Sequence, residues 1–419
     1  MNIPRDSYLQ RLEAKKHNGM IKIVTGLRRS GKSYLLFNLF YERLLSQGVD
    51  ENHIIRVQLD DLDNIDLREK TTLYAFIKSK IADPAMHYCF LDEIQLVPGF
   101  EEVLNSLLHI PNIDVYVTGS NSRFLVKDVI TEFRGRGDEI RVFPLSFKEY
   151  FAVSESDFET SWSTYCAYGG LPLVATMKTH KEKSDYLKAL FSKVYLTDVI
   201  DRYKIRNKHE FEELLNILAS AIGSCTNPLK IANTFKTKGL SPITNKTVVS
   251  YLSYLEDAFL LQAVQRFDIK GRKYIGANKK YYFTDLGLRN ARLNFRQIEE
   301  THIMENIIYN ELCLRGYDVD TGIIEYNGKD KNGSSRKIQL ECDFVANSGS
   351  ERIYIQSAFD ISAEAKKQQE ENSLLRINDS FRKIIIQKQA TIPHYDENGI
   401  YIVSLKDFLL NETLFLVGK

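Results

Sequence analysis

The segment that decides the fold is GLRRSGKS, residues 26–33. It lies between an uninterrupted apolar run, MIKIVTG at 20–26, and a helical pattern, SYLLFNLFYERLLSQG at 33–48. A strand, a glycine-bracketed loop and a helix in this order direct backbone N–H groups and a helix N-terminus at phosphate oxygens. Glycine at both ends of the loop permits the tight turn without a Cβ clash. The segment therefore predicts a phosphate-binding loop.

The loop matches the pattern GxxxxGK[ST], which gives its residues separate roles. Lys32 is predicted to reach the β- and γ-phosphates of ATP, and the Ser33 hydroxyl is predicted to bind Mg²⁺. ATP and Mg²⁺ are therefore the predicted cofactors. The predicted nucleotide-binding residues are Gly26, Leu27, Arg28, Arg29, Ser30, Gly31, Lys32, Ser33 and Tyr34.

A second motif is HYCFLDEIQ, residues 87–95, in which an apolar strand ends in two carboxylates. Burying two adjacent acids at a strand end is unfavourable unless a cation or hydrogen bonds compensate them. In P-loop enzymes the first such acid belongs to the Mg²⁺ shell, and the second orients the attacking water. We therefore predict Asp92 as a metal ligand and Glu93 as a catalytic residue.

A third strand, IDVYVTGSNSRFL at 113–125, ends in polar residues. A polar tip beside the acidic strand is where a group that senses the γ-phosphate belongs. The sequence favours Asn121 over Ser120 and Thr118 for this role. The alternative interpretation is a simple Gly-Ser-Asn turn.

The segment FRGRGDEIR, residues 133–141, carries two arginines in a glycine-flanked turn. Arg134 and Arg136 could approach a nucleotide in the same or a neighbouring subunit, and Arg136 is the predicted arginine finger. Such a group can supply about 10³–10⁵ in rate. The alternative is a pair of surface arginines near a hairpin.

Two more apolar runs, HIIRVQLDD at 53–61 and DEIRVFPL at 138–145, bring the number of candidate strands to five. Helical patterns separate most of them. The predicted fold class is therefore α/β, with a doubly wound parallel sheet.

Composition restricts the class of protein. At 419 residues the chain is too long for one ordinary core, and a formal net charge of +1 gives no global attraction to nucleic acid or membrane. No apolar run is long enough to span a membrane, and the N-terminus lacks the pattern of a secretory signal. The five cysteines lie far apart without CxxC or Cys/His pairing, which argues against a zinc site or a disulfide framework. We therefore predict a cytoplasmic protein.

The order of motifs resembles the prokaryotic AAA-type ATPases. The motifs are the phosphate loop, FLDEIQ, VTGSN, GRG followed by VFPLSFKEYF, and YGGLP. The resemblance implies an ATP-binding core, a helical lid, a winged helix and a nuclease-like α/β domain. The corresponding boundaries are 1–152, 153–209, 210–292 and 293–419.

Three helical patterns followed by a basic ribbon, within 210–292, have the order of a winged helix. Residues 245–247 would open its recognition helix. The ribbon is predicted to contact the phosphates of double-stranded DNA, and a protein partner is the alternative. The basic residues of the ribbon are Lys270, Arg272, Lys273, Lys279 and Lys280.

The last 120 residues resemble the PD-(D/E)xK nuclease fold. The matching site residues are Glu305, Asp343 and Gln356. Gln356 stands where the resemblance expects an acid, and Ala358 stands where it expects a lysine. A hard cation prefers carboxylates, and a missing lysine leaves developing charge unstabilised. We therefore expect a degenerate nuclease fold, in which Glu305 caps a helix or pairs with a basic side chain.

Three functions follow from these interpretations. The first is a Mg²⁺-dependent ATPase that couples nucleotide state to the winged helix and the nuclease-like domain. The second is a slowly hydrolysing switch that binds DNA or a partner protein, and the third is an ATP-regulated nuclease. The intact pair of Asp92 and Glu93 favours the first. The sequence leaves the oligomeric state open, and a homo-oligomer is among the predicted assemblies.

Overall fold

The protein was analysed as a computed structural model. It describes residues 3–119, 135–237, 242–329, 335–360 and 364–412. The chain divides into two compact units, a first unit of Met1–Leu145 with Asp257–Leu260 and a second unit of Ser146–Glu256 with Leu261–Lys419.

The first unit contains a five-stranded sheet in the order β2-β3-β4-β1-β5, in which every pairing is parallel. This arrangement confirms the predicted α/β class and all five predicted strands. The strands are β1 Ile21–Gly26, β2 Ile54–Gln58, β3 His87–Asp92, β4 Ile113–Thr118 and β5 Gly137–Val142.

Both faces of this sheet are apolar. Successive side chains of a strand point to opposite faces, so an uninterrupted apolar strand supplies apolar side chains to both. In β3, Cys89 and Leu91 belong to one core cluster, whereas Tyr88 and Phe90 belong to another. Buried strands of this kind need helices on both faces. The described helices of the first unit are Asp6–Ala14, Lys32–Tyr34 (continued by Leu35–Phe40 and Tyr41–Ser46), Glu51–His53, Leu62–Arg68, Lys70–Lys80, Ile94–Leu96 and Phe100–Leu107.

The second unit begins with helices. Leu286–Arg292 and Glu300–Leu314 come later in the chain and also belong to this unit. The preceding helices are Phe147–Val153, Phe158–Tyr168, Pro172–Thr176, His180–Leu190 (continued by Phe191–Leu196 and Thr197–Arg202), Lys208–Ser220, Pro228–Thr237 and Asn245–Asp257.

A nine-stranded mixed sheet forms the rest of the second unit, in the order β13-β14-β12-β11-β10-β9-β7-β8-β6. Two further helices, Glu364–Leu375 and Leu405–Leu410, accompany it. The strands are β6 Cys225–Thr226, β7 Leu261–Asp268, β8 Lys273–Phe283, β9 Asp318–Lys329, β10 Ser335–Ser348, β11 Glu351–Ala358, β12 Arg382–Gln387, β13 His394–Tyr395 and β14 Tyr401–Ser404.

The basic ribbon predicted from the sequence is the hairpin of β7 and β8, and it belongs to this large sheet. Strand β7 pairs with β9 in parallel, with Arg266 opposite Thr321. The sheet is therefore continuous across the predicted boundary at 292/293. The four-part division of the chain stays a prediction, and so does the winged helix within it.

Candidate nucleotide-binding site

The phosphate loop follows β1 at the carboxyl edge of the first sheet. Gly26 has φ +135°, and a Cβ there would lie 2.1 Å from the carbonyl oxygen of Val142 in β5. Gly31 has φ 95° and precedes the helix that begins at Lys32. Both positions favour glycine, Gly26 because the neighbouring backbone is too close and Gly31 because its φ is left-handed.

The Lys32 ammonium lies inside this loop. Its Nζ donates hydrogen bonds to the carbonyl oxygens of Gly26 and Leu27, both at 3.0 Å. Burial lowers the pKa of Lys32 to about 8, against the opposing charges of Glu93 and Asp92. The lysine is thus a buried cation close to two carboxylates.

The Ser33 hydroxyl donates a hydrogen bond to Asp92 Oδ1 at 3.0 Å. The Thr118 hydroxyl donates to the same oxygen. Burial raises the pKa of Asp92, although both hydrogen bonds act in the opposite direction. A serine hydroxyl and a buried carboxylate form the oxygen donor set that Mg²⁺ prefers, so these two residues fit the predicted ion.

Glu93 follows directly in a left-handed conformation, with φ 51°. Its N–H donates to Thr118 Oγ1 at 3.0 Å, and its carboxylate accepts a hydrogen bond from the Gln95 amide. Thr118 therefore connects β4 to both acids. The sequence offers Thr118 only as an alternative to Asn121 for the sensor, because no local pattern reports a contact across 26 positions.

The remaining loop residues differ in exposure. Arg28, Arg29 and Tyr34 are exposed, and Ser30 is buried. Within the described part of the chain, the Ser30 hydroxyl has no hydrogen-bond partner, so it can donate to a phosphate oxygen. Its carbonyl accepts a hydrogen bond at 3.2 Å from Arg5.

Arg5 is a buried residue that the sequence interpretation missed. Its guanidinium also donates to the carbonyl of Phe143 at 2.9 Å, and thereby joins the loop to the segment after β5. The contact spans 138 positions, and no motif marks it. Arg5 therefore positions the loop from outside the motif.

Two predicted residues, Asn121 and Arg134, lie outside the described residues. Arg136 is described, and it is exposed just before β5. Its carbonyl accepts a hydrogen bond at 2.9 Å from the N–H of Ile21, the first residue of β1. The phosphate loop follows the other end of β1, so Arg136 lies at the opposite edge of the sheet. Of the two alternatives for Arg136, this location favours action on a nucleotide in a neighbouring subunit, and that role stays a prediction.

Known proteins resemble this chain in both of its halves. Residues 18–151 match the model of an AAA domain, and residues 159–299 match that of a domain of unknown function. An uncharacterized protein of Haemophilus influenzae is 32% identical over 417 residues, which cover 97% of this chain and 98% of that protein. The chain belongs to the prokaryotic AAA-type P-loop family. An uncharacterized protein of Methanocaldococcus jannaschii is 27% identical to this AAA-type protein over 322 residues, which cover 73% of the chain and 69% of the relative.

Solved structures overlap with the AAA-type protein only loosely. Cdc6p from Pyrobaculum aerophilum has 14% identity and a TM-score of 0.32, over 74% of this chain and 96% of that one. Orc1 of Aeropyrum pernix, in a complex with DNA, has 13% identity and a TM-score of 0.29, over 70% and 93%. At TM-scores this low the overlaps carry no functional argument.

A second polar cluster lies in the large sheet of the AAA-type protein. Glu305 Oε1 accepts hydrogen bonds from Lys280 Nζ at 2.9 Å and from the Tyr282 hydroxyl. Lys280 Nζ also lies 2.6 Å from Glu341 Oε1. We call Lys280, Tyr282, Glu305, Glu341 and Asp343 the Lys280 cluster. Pairing with a basic side chain is one of the two roles that the sequence left open for Glu305, and the structure confirms it.

The placement of Lys280 corrects the sequence interpretation. The sequence places Lys280 among the basic residues of the ribbon that are predicted to contact DNA, yet it is buried and its ammonium faces carboxylates. Burial lowers the pKa of Lys280, but the charges of Glu305, Asp343 and Glu341 outweigh it and raise the pKa overall. Lys280 is therefore unavailable to DNA phosphates. The sequence does not indicate that Lys280 is buried, because the charge of a side chain alone carries no information about its burial.

The other predicted nuclease-site residues also contact this cluster or its neighbours. Asp343 Oδ2 accepts a hydrogen bond at 2.8 Å from the N–H of Ser357, and burial raises the pKa of Asp343 well above its ordinary value. Gln356 Oε1 lies 3.4 Å from the N–H of Asp343, and its amide donates to Glu370 at 3.0 Å. The structure thus brings Glu305, Asp343 and Gln356 to one region of the sheet.

Helices able to cross a membrane are absent from the described part of the chain, where none is both long and apolar enough.

Proposed function

We propose that this AAA-type protein binds MgATP at residues 26–33 and hydrolyses it to ADP and phosphate. The observation that carries the proposal is the group of three polar atoms at one edge of the first sheet. The Lys32 ammonium, the Ser33 hydroxyl and the Asp92 carboxylate belong to this group, and the last two are 3.0 Å apart. The AAA domain match over residues 18–151 supports the same proposal.

In the proposed reaction, Lys32 exchanges two backbone carbonyl partners for β- and γ-phosphate oxygens. The loop N–H groups would hold the phosphate chain, and Ser33 with Asp92 would hold Mg²⁺, which would neutralise charge on the phosphates. Glu93 orients the attacking water and accepts its proton. Thr118 positions both acids through its contacts with Asp92 and with the N–H of Glu93.

The alternative function is a slowly hydrolysing switch, and one contact favours it. The Glu93 carboxylate accepts a hydrogen bond from the Gln95 amide. A carboxylate that is already hydrogen-bonded to its own chain is less available to a water molecule. In this alternative, ATP is bound and held, and turnover is slow.

The variant Glu93→Gln separates the two functions. For an ATPase, it should lower phosphate release by about 10²–10⁴-fold, because the proton acceptor is lost, while MgATP binding remains within a few-fold. Glu42→Gln, which changes an exposed glutamate of the same unit, is the matched control. Unchanged phosphate release in Glu93→Gln would contradict the catalytic role and leave the switch.

For the second unit we propose that the three helices from Lys208 to Asp257 and the β7–β8 hairpin bind double-stranded DNA, with a protein as the alternative partner. Lys270, Arg272 and Lys273 are exposed on the hairpin. Lys270 and Arg272 also line a cleft of about 690 Å³, together with Arg352. Glu351 and Asp379 line the same cleft, so the three exposed cations of the hairpin, and not the cleft itself, favour an anionic partner.

For the Lys280 cluster we propose a structural role without nuclease activity. Lys280 already supplies a cation to Glu305 and Glu341, and Gln356 offers no charge.

We also propose that Arg136 acts on the nucleotide of a neighbouring subunit, which requires a homo-oligomer. A concentration-dependent specific activity would support that role, and a flat profile from a monomer would remove it.

A further inference from the structure

Three potential metal ligands meet at the amino edge of the first sheet. His53 ends the short helix Glu51–His53 just before β2, and His87 is the first residue of β3. Asp83 lies in the connection before β3. Strands β2 and β3 are parallel neighbours with Ile54 opposite Tyr88, so the two histidines precede that pair on adjacent strands.

This location is separate from the proposed nucleotide site. His87 and Asp92 are the two ends of β3. Five residue steps of about 3.3 Å place them roughly 16 Å apart. A ligand at the amino edge therefore uses none of the residues proposed to hold MgATP.

The three side chains are close enough to share one ion. One ligand atom from each of His53, Asp83 and His87 lies within 4.8 Å of the other two. His53 Nε2 is 2.9 Å from Asp83 Oδ2, and the two imidazole rings meet edge to face with centroids 4.8 Å apart. Small side-chain rotations suffice to bring these atoms to the distances of about 2.0–2.2 Å that zinc requires.

An independent observation concerns His87, which is fully buried. Its Nδ1 donates a hydrogen bond to the carbonyl of Ala85 at 2.8 Å, so Nε2 is the ring nitrogen left for another partner. Among the described residues, that Nε2 has no hydrogen-bond partner. A buried ring nitrogen without a partner is unfavourable, and a metal ion would satisfy it.

The surroundings hold the ligands in a binding orientation. The Ala85 carbonyl that accepts from His87 also accepts from the Asn112 amide at 3.1 Å. Asp83 Oδ1 accepts from the N–H of Ala85 at 2.8 Å, which leaves Oδ2 toward His53. A backbone carbonyl on the far nitrogen of a histidine and a second bond to the carboxylate are typical of protein metal ligands.

We propose that His53, Asp83 and His87 bind one Zn²⁺ ion, with water as a fourth ligand. Two imidazoles and one carboxylate match the preference of zinc, whereas Mg²⁺ prefers oxygen alone. The ion joins the start of β2, the connection before β3 and β3 itself. The sequence argument against zinc considered only cysteine pairings, and this site uses none.

The test is a Co²⁺ titration of the untagged full chain after chelator treatment, with excess Mg²⁺ and no nucleotide. We expect one equivalent of Co²⁺ with the visible absorption of a four-coordinate site, displaced by Zn²⁺. Asp83→Asn changes an exposed residue and should weaken binding by more than the ~10–100-fold that follows loss of a group supporting a ligand. His87→Gln should do the same.

The matched control is His109→Gln, which removes an exposed histidine of the same unit. It should bind Co²⁺ as the wild type does. Zinc should also raise the melting temperature of the wild type and of His109→Gln, but not that of Asp83→Asn. No bound equivalent in the wild type, or equal binding by Asp83→Asn and His109→Gln, would overturn the proposal and leave His53 and Asp83 as a simple hydrogen-bonded pair.

Discussion

At the scale of single residues, Lys32 couples nucleotide binding to protons. Burial lowers its pKa to about 8, so about half of the lysines are neutral at pH 8 and about a tenth at pH 7. Phosphate oxygens favour the charged form. MgATP binding should therefore take up about half a proton at pH 8, and affinity should fall as the pH rises through 8.

Calorimetry in two buffers of different ionisation enthalpy measures this uptake. Lys32→Arg is the control, because arginine stays charged across this pH range. The uptake should disappear in that variant. Equal uptake in both proteins would assign the proton to another group.

Residues of the phosphate loop were predictable because short-range geometry determines them. Gly26 and Gly31 are required by the neighbouring backbone and by a left-handed φ, and both requirements leave a trace in the motif. Arg5 and Thr118 were not predictable in their roles. Their contacts with the loop and with Asp92 depend on chain segments that only the folded sheet brings together.

At the scale of elements, strand β8 buries Lys280 and exposes Lys273. Lys280→Ala would leave the largely buried Glu305, whose side chain is 12% exposed, without this cation, which should lower the free energy of unfolding by about 3–5 kcal/mol. Lys273→Ala, at the exposed start of the same strand, is the control and should stay within about 0.5 kcal/mol. Urea unfolding followed by the fluorescence of Trp162, the single tryptophan of the chain, reports on the second unit.

The same comparison has a pH dependence. Burial tends to raise the pKa of Glu305, but the charge of Lys280, the His302 ring at 3.9 Å and the hydrogen bond from the Tyr282 hydroxyl lower it below the ordinary 4.5. The stabilisation is therefore present above about pH 4.5 and is lost as the pH falls through the lowered pKa. The difference between wild type and Lys280→Ala should shrink in acid. Equal stabilities at neutral pH would contradict the role given to this lysine.

The elements themselves were largely predictable from periodicity. The uninterrupted apolar runs became the parallel strands of the first sheet, and the helical pattern at 33–48 became the helix Lys32–Tyr34 with its continuation to Ser46. Their partners were less predictable. The pairing of β7 with β9 joins Arg266 to Thr321, and hydrophobic patterns carry no information about a contact between such distant segments.

At the scale of the whole molecule, the proposed DNA contact predicts a salt dependence. Replacing Lys270, Arg272 and Lys273 by alanine removes three cations. If each contacts a phosphate, the slope of log affinity against log salt should fall in magnitude by about 2.7. Anisotropy titrations of a labelled duplex at several salt concentrations measure that slope.

The control variant replaces Lys178, Lys181 and Lys193, which are also exposed in the second unit, and removes the same charge. It should keep the wild-type slope. Absence of binding at low salt, or equal slopes for the two variants, would favour a protein partner for the second unit.

The division of this AAA-type protein into two units also limits what a sequence can tell. In the first unit, most residues of the proposed nucleotide site lie in sequence motifs, whereas Arg5 lies outside them. In the second unit, Lys280 pairs with Glu305 where the resemblance implies a nuclease-like site. No sequence pattern relates these two residues before the strands are paired.

The most direct test of the central claim is calorimetric titration of MgATP into the folded wild-type protein and into Lys32→Ala. The account predicts a single site per chain in the wild type and a loss of that heat in the variant, with the fold of both verified by circular dichroism. Absence of heat from the folded wild type, or an equal affinity in Lys32→Ala, would contradict the account.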